Sequence, residues 1–234
     1  MRRAFWPDVK IVDAVQVTIE GLTFRRATPD DTERIAEIIA GEPGQEAIGI
    51  TGSAELARSF GMALVRLRNS PQGWQHTVVG ELNGEVVGIM QAGAATQTLR
   101  VTPAMALLAL RTFGLLRIRG VLSRFRARGR VQTHAPHGAY HIGELHVDPR
   151  YRNRGIGGAL LDYAEAEARA SSYKQMSLST TTTNPARHLY ERHGFAVVQT
   201  RTDAAYERHT GITGRLLMVK DLVWRRRPSL AGGC

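Results

Sequence analysis

Arg152-Asn153-Arg154-Gly155-Ile156-Gly157-Gly158 is the stretch on which the reading of this chain turns. Upstream lies the strand-like run Tyr140-His141-Ile142-Gly143-Glu144-Leu145-His146-Val147, closed by the turn pair Asp148-Pro149. Downstream, Ala159-Leu160-Leu161-Asp162-Tyr163-Ala164-Glu165-Ala166-Glu167 is dense in good helix formers. A glycine-rich turn that opens a helix offers N–H groups without intrahelical acceptors, at the positive end of the helix dipole, and so suits a diphosphate. Gly155, Gly157 and Gly158 have no Cβ to hold an anion off the main chain, and Arg152 and Arg154 add charge. The expectation is strand, anion-cradling turn, helix. Two other phosphate-binding readings fail on spacing. A dinucleotide fingerprint would want glycine where Leu160 stands, and an acid ending a second strand; residues 175–179 supply the strand but no acid. A nucleotide-hydrolase loop would need Gly-Lys-Ser/Thr, and no lysine lies near the turn.

The pattern Arg152-x-x-Gly155-x-Gly157, led in by Leu145-x-Val147-x-Pro149 and Tyr151-Arg152, resembles the acetyl-CoA-binding motif of the GNAT-superfamily N-acetyltransferases. A second stretch, Thr183-Asn184-Pro185-Ala186-Arg187-His188-Leu189-Tyr190-Glu191-Arg192-His193-Gly194-Phe195, resembles a later motif of that superfamily. There a strand end and an asparagine precede a short helix ending in tyrosine, and Gly-Phe opens the next strand. The resemblance covers about residues 22–223. It implies an α/β fold of the GNAT type: a mixed, mostly antiparallel central sheet, helices on both faces, and here a helical insertion between the third and fourth strands.

The flanking sequence is consistent with that fold. Leu22–Ala27 alternates like an edge strand, and Thr28-Pro29-Asp30-Asp31 reads as a helix start, with Ile35, Ile38 and Ile39 on the buried face. Residues 53–68 repeat Leu56, Phe60, Ala63, Leu64 and Leu67 at helical spacing, and Ser70-Pro71-Gln72-Gly73 ends that helix. Gln75–Leu82 and Glu85–Gly93 flank Asn83-Gly84, a strong hairpin signal. Residues 175–181, Phe195–Thr200 and Gly214–Val223 supply further strands. The predicted order is βααββ, an insertion, then βαβαββ. Domain boundaries are placed at an N-terminal extension (1–20), one acetyltransferase-like domain (21–224) and a basic tail (225–234).

At 234 residues the chain can bury a substantial core. No apolar run follows Arg2 and Arg3 as a signal peptide would require, and the only cysteine is Cys234. A disulfide framework and a thiol nucleophile are thereby excluded, and a reducing cytoplasm is expected. The net charge of +10 invites a nucleic-acid reading, but only Lys10, Lys174 and Lys220 are lysines and no base-stacking aromatic motif accompanies the arginines. A solvated basic surface that helps draw in polyanionic coenzyme A is the simpler account.

Residues 94–138 have no counterpart in the resembled fold. Thr102-Pro103 starts a helix; Leu115, Ile118, Leu122 and Phe125 step along one stripe, Arg117, Arg124 and Arg128 along another. The expectation is a basic amphipathic helical hairpin broken at Gly114 or Gly120, too rich in arginine to span a membrane. Packing on the domain's own sheet, a lid over the acceptor cleft, a homodimer contact and a peripheral membrane contact by residues 103–128 all remain open.

Acyl transfer to an amine needs a deprotonated nucleophile, a polarised carbonyl and a proton for the leaving thiolate. An alkyl ammonium, with a pKa near ~10.4, must first lose a proton. Glu144 is the first candidate base and His141 the second. In a regular strand Glu144 and His146 face one side, with His141, Leu145 and Val147 on the other; a bulge, for which Gly143 is suited, would change that. The resemblance implies that Tyr190 stands near the coenzyme sulfur as the acid. It also implies cofactor contacts from Leu145, His146 and Val147, from Arg152, Asn153, Arg154, Gly155, Ile156, Gly157 and Gly158, and from Asn184, Arg187 and Tyr190. Backbone groups of Leu145 and Val147 would meet the pantetheine arm, and one of their amides the thioester carbonyl. The implied reaction is direct transfer from acetyl-CoA to a primary amine of a small molecule or peptide. A non-catalytic acetyl-CoA sensor, a longer acyl donor and a protein N-terminus as acceptor are the alternatives. His134, His137, His141 and His146 cluster in sequence, but their spacing spans loop and strand and no metal is expected.

Overall fold

The structure is a computed structural model that describes residues 19–67, 70, 72–94 and 102–222. The expected tail (225–234) and all but the last two residues of the expected extension (1–20) lie outside these. The elements run β1 (Leu22–Arg26), α1 (Thr32–Ala40), α2 (Gln45–Thr51), α3 (Ala54–Arg66), β2 (Val78–Leu82), β3 (Glu85–Ala94) and α4 (Pro103–Arg130). They continue with β4 (Tyr140–Val147), α5 (Ile156–Ala170), β5 (Gln175–Thr181), α6 (Arg187–Arg192), β6 (Ala196–Thr202), α7 (Ala204–Thr210) and β7 (Gly214–Asp221). The seven strands form one sheet in the order β1-β2-β3-β4-β5-β7-β6. Only β4–β5 pairs parallel; every other pairing is antiparallel. This is the mixed, mostly antiparallel α/β sheet the resemblance implies.

Local chemistry sets the boundaries. Thr28 and Asp31 form a capping box ahead of a 3-10 turn (Pro29–Asp31) that leads into α1, and Ser53 Oγ accepts the Leu56 amide at the start of α3. Asn83 (φ 51) and Gly84 (φ 85) both take the left-handed conformation of a two-residue hairpin turn between β2 and β3. One face of the sheet packs on α5, whose Ile156, Leu160, Leu161 and Ala164 bury against Val87, Met90 and Ile142. The other face meets α1 through Ile35, Ile38, Val79 and Ile89.

Two short helices replace expected loops. In α2, Gly49 lets the backbone of α7 cross closely: a Cβ there would lie 2.5 Å from the His209 carbonyl oxygen. Between the last two strands, where the predicted order has no helix, lies α7, whose start is capped by Asp203 accepting the Tyr206 amide.

The insertion is corrected more deeply. Of the two expected break points, Gly114 is the one that breaks α4, at φ 69 and ψ 165, a conformation essentially confined to glycine. The helix packs chiefly on α2, α3 and α7. The apolar stripe points outward, with Leu115, Leu122 and Phe125 all exposed. Phe113, Val121, Ala127 and Val131 are buried instead, and Arg128 turns inward to Glu46. Small buried residues permit the close approach, and a carboxylate waiting on α2 offsets the cost of bringing a guanidinium inside.

Candidate functional site

The first part of the site is the turn after β4. Asp148 is buried, accepts the Arg150 amide (2.8 Å) and is gripped by the Arg34 guanidinium. Arg150 and then Arg34 hold its carboxyl far below the usual carboxylate range, so it stays charged. Glu85 takes the Tyr151 hydroxyl (2.7 Å), and the Arg154 guanidinium lies over the Tyr151 ring (5.2 Å). From this braced base the chain turns through left-handed Asn153 (φ 61) and Gly155 (φ 82), and α5 begins at Ile156. The first amides of α5 have no intrahelical acceptor, and two left-handed residues just before them curve the main chain, the kind of turn that offers its N–H groups to an anion. Arg152 and Arg154 are exposed beside it. The following glycines have a second reason to be small: a Cβ on Gly157 would come within 3.2 Å of the Leu189 side chain, and one on Gly158 within 3.2 Å of His193 Nε2. They seat α6 against α5.

The second part is β4 itself. Its pairing with β3 slips by one residue, Gln91 opposing Glu144 and Ala92 opposing Ile142, so that Gly143 is the extra residue of a bulge. Tyr140 and Ile142 before the bulge, and Leu145 and Val147 after it, all pack on the α5 side of the sheet. The opposite face therefore collects His141, Glu144 and His146 together. β4 pairs with β5 only from Tyr140 to Ile142, then separates from it, which leaves one edge of Gly143–Val147 without a neighbouring strand.

Glu144 accepts from Gln72 Nε2 (3.2 Å) and lies 2.8 Å from His146 Nε2, with 31% of its side chain exposed. Burial alone would raise its pKa; the His146 hydrogen bond and charge, then Gln72 and Arg215, outweigh it and hold the carboxyl below its ordinary value. His141 sits inside the paired stretch, its Nδ1 3.0 Å from Ser177 Oγ. Burial, then the charge of Arg215, lowers its pKa to about 4, so the ring is neutral near pH 7. Tyr190, on α6, is buried against Phe195, with ring centroids 6.4 Å apart. Burial first, and the Glu144 charge second, push its phenol up to about 12.

Two other expected residues have partners within the protein. Asn184 Oδ1 accepts the Ala186 amide (2.9 Å) just ahead of α6, and its Nδ2 donates to Thr180 (2.7 Å). Arg187 pairs with Glu191 on the exposed side of α6 (2.7 Å). Among the described residues no group of three or more His, Cys, Asp or Glu is placed to hold a metal ion, and no helix is long and apolar enough to cross a membrane.

Four residues near Glu144 had not been singled out as site residues: Gln72, Glu46, Arg215 and Arg128. Glu46 takes Arg215 Nη1 (2.5 Å), Arg128 Nε (2.9 Å) and the Tyr206 hydroxyl (2.8 Å). One carboxylate thereby ties α2, α4, α7 and β7 into a wall. Arg215 Nε is buried without a hydrogen-bond partner among the described residues. These contacts join parts of the chain far apart in sequence, and no local pattern announces them.

The family model described as the acetyltransferase (GNAT) family matches residues 53–195, more than half of the chain. Among curated proteins, none matches the sequence. Solved structures do. An acetyltransferase crystal structure shares 25% identity, with 86% of this chain and 100% of the other covered and a TM-score of 0.52. An N-acetyltransferase from Staphylococcus aureus Mu50 shares 18% identity over 84% of this chain and 99% of its own, with a TM-score of 0.58. The PaiA N-acetyltransferase from Thermoplasma acidophilum, solved in complex with coenzyme A, shares 14% over 86% and 98%, with a TM-score of 0.52.

Proposed function

Because this chain belongs to the GNAT acetyltransferase family, we propose that it moves an acetyl group from acetyl-CoA to a primary amine of a small molecule or peptide, by direct attack in a ternary complex. The observation that carries this reading is the bulge at Gly143. It brings Glu144, His141 and His146 to one face where β4 leaves β5. The binding of coenzyme A by the Thermoplasma acidophilum neighbour lends the cofactor assignment support at the level of the fold. In this reading the amides of residues 153–158 hold the diphosphate, with Arg152 and Arg154 as outer charges. The free edge of Leu145, His146 and Val147 meets the pantetheine arm, and Asn184 and Arg187 border it.

Glu144 takes a proton from the substrate ammonium, directly or through one water. The freed amine attacks the thioester carbonyl carbon; as the C–N bond forms, the carbonyl electron pair moves onto oxygen, where the Leu145 or Val147 amide donates. Collapse breaks the C–S bond. Tyr190 offers its O–H to the departing sulfur. An ordinary thiol pKa of ~8.5 lies below that of the phenol, so this bond stabilises the thiolate rather than fully protonating it. The proton lost by the acylated nitrogen and the one held by Glu144 pass to solvent, and the released thiolate takes its proton from water. Glu144 is preferred to His141 as base because it lies beyond the last β4–β5 pair, whereas His141 is inside the pairing and bonded to Ser177.

The test is titration calorimetry with acetyl-CoA on folded protein, followed by a transfer screen over amines, amino acids and peptides with acetyl and longer acyl donors. Saturable binding and transfer to one acceptor class are expected. Absence of binding at millimolar acetyl-CoA overturns the assignment, and tight binding with no transfer to any acceptor replaces it with a non-catalytic sensor.

A further inference from the structure

The insertion helix leaves an outer face that its packing does not use. Leu116 is 99% exposed and Leu115 76%, immediately after the Gly114 break, with Leu122 and Phe125 following at 46% and 41%. At 100° per residue, Leu115, Ile118, Leu122 and Phe125 make one stripe, and Arg119 and Arg126 run directly beside it. The inward surface is already occupied by Val121, Ala127 and Arg128. Pro103–Arg130 contains no Asp, Glu or Lys. Arg111, Arg117, Arg119 and Arg126 are exposed and have no ion-pair partner among the described residues.

We propose that the outer face of α4 docks the protein on an anionic lipid surface. The stripe from Leu115 to Phe125 is about 15 Å long, enough to lie in the interface plane but not to cross it. Guanidiniums beside it reach lipid phosphates while their stems stay with the leucines. A second copy of the chain is a poor occupant, since it would set unpaired arginines against unpaired arginines. The inference is independent of acetyl transfer.

The experiment is co-sedimentation of the full chain with vesicles of phosphatidylcholine alone, or of about two parts phosphatidylcholine to one part phosphatidylserine. Binding is expected only to the anionic vesicles, weakening as salt rises. Arg119→Gln with Arg126→Gln should weaken it about 25-fold, near fivefold per charge. Leu115→Ser with Leu116→Ser, both at exposed positions, should weaken it further, with unchanged thermal unfolding as the check on folding. Lys174→Gln with Arg192→Gln removes the same charge away from α4 and should leave binding within about twofold. No binding to anionic vesicles overturns the proposal, as does equal loss in the control pair, which would assign binding to net charge. A dimer in sedimentation that the Leu115→Ser, Leu116→Ser variant abolishes overturns it in favour of a second copy.

Discussion

Replacing Glu46 by glutamine tests whether one carboxylate holds α2, α4, α7 and β7 together. In the folded protein it takes Arg215 at 2.5 Å, Arg128 at 2.9 Å and the Tyr206 hydroxyl at 2.8 Å. The arginine side chains are only 10% and 27% exposed. Glutamine keeps the shape but brings one acceptor oxygen and an amide N–H₂ that must face a guanidinium. Hydrogen bonds to a charged group contribute about 1.5–3 kcal/mol each, and breaking a fully buried pair costs about 3–5 kcal/mol. With one arginine hydrogen bond and one ion pair affected, and some solvent access to Arg128 and Glu46, a loss of about 3 kcal/mol is expected. For a chain of this size that is a fall in Tm of roughly 6–12 °C. Urea unfolding measures the free energy, and calorimetry the midpoint. Adding Arg128→Met removes the stranded cation while keeping its apolar stem, and should recover roughly 1–2 kcal/mol. A loss below about 0.5 kcal/mol in the single variant, or no recovery in the double, would refute the reasoning that this carboxylate balances two buried cations.

Tyr190→Phe should lower kcat by roughly 10–100-fold and leave acetyl-CoA affinity nearly unchanged; equal turnover would remove the phenol from the reaction. Since His141 is lowered to about 4 and Glu144 lies below its ordinary value, both are deprotonated above about pH 5. The rise in kcat/KM at higher pH should then follow the acceptor ammonium, and a protein-borne limb near pH ~6.5, present with acceptors of different pKa, contradicts this. Asp31, held at about 2 chiefly by its hydrogen bond to Arg25, stabilises the fold above its unfolded pKa, and this contribution is lost as pH falls through about 2. Asp31→Asn should accordingly flatten the dependence of unfolding free energy on pH between about 4 and 2; an unchanged slope argues against the pair. Gly155→Ala, at φ 82, should cost about 1–2 kcal/mol of stability and weaken acetyl-CoA binding; an unaltered dissociation constant would show that the turn's curvature does not matter to the ligand.

The parts of the fold legible in the sequence are those written in consecutive residues. The Asn83-Gly84 hairpin, the Thr28 capping box and the Gly155 turn each need only a few neighbours to specify them. The short helices α2 and α7 were obscured because each depends on the other: Gly49 would weaken an isolated helix, yet it is what admits the α7 backbone. A clearer local signal did exist for α7, with Asp203 at its start and left-handed Gly211 at its end. The direction of α4 was not legible at all. Periodicity says which residues share a stripe, but which stripe faces inward depends on Glu46, more than 80 positions from Arg128 in the chain. In the candidate site, regular strand spacing separated Glu144 from His141 and only the bulge at Gly143 joins them on one face, whereas Gln72 and Arg215 reach them only through tertiary packing.

The single surplus residue in β4 resolves a conflict that an evenly alternating strand could not. Apolar side chains occupy positions 140, 142, 145 and 147, of mixed odd and even parity, and every one of them is packed on the same layer of the molecule. A strand of strict alternation would have to choose: bury its first two and surrender its last two, or the reverse, with the polar trio divided between interior and solvent. Changing phase once, midway, lets the same eight residues serve as ballast on one side and as working surface on the other.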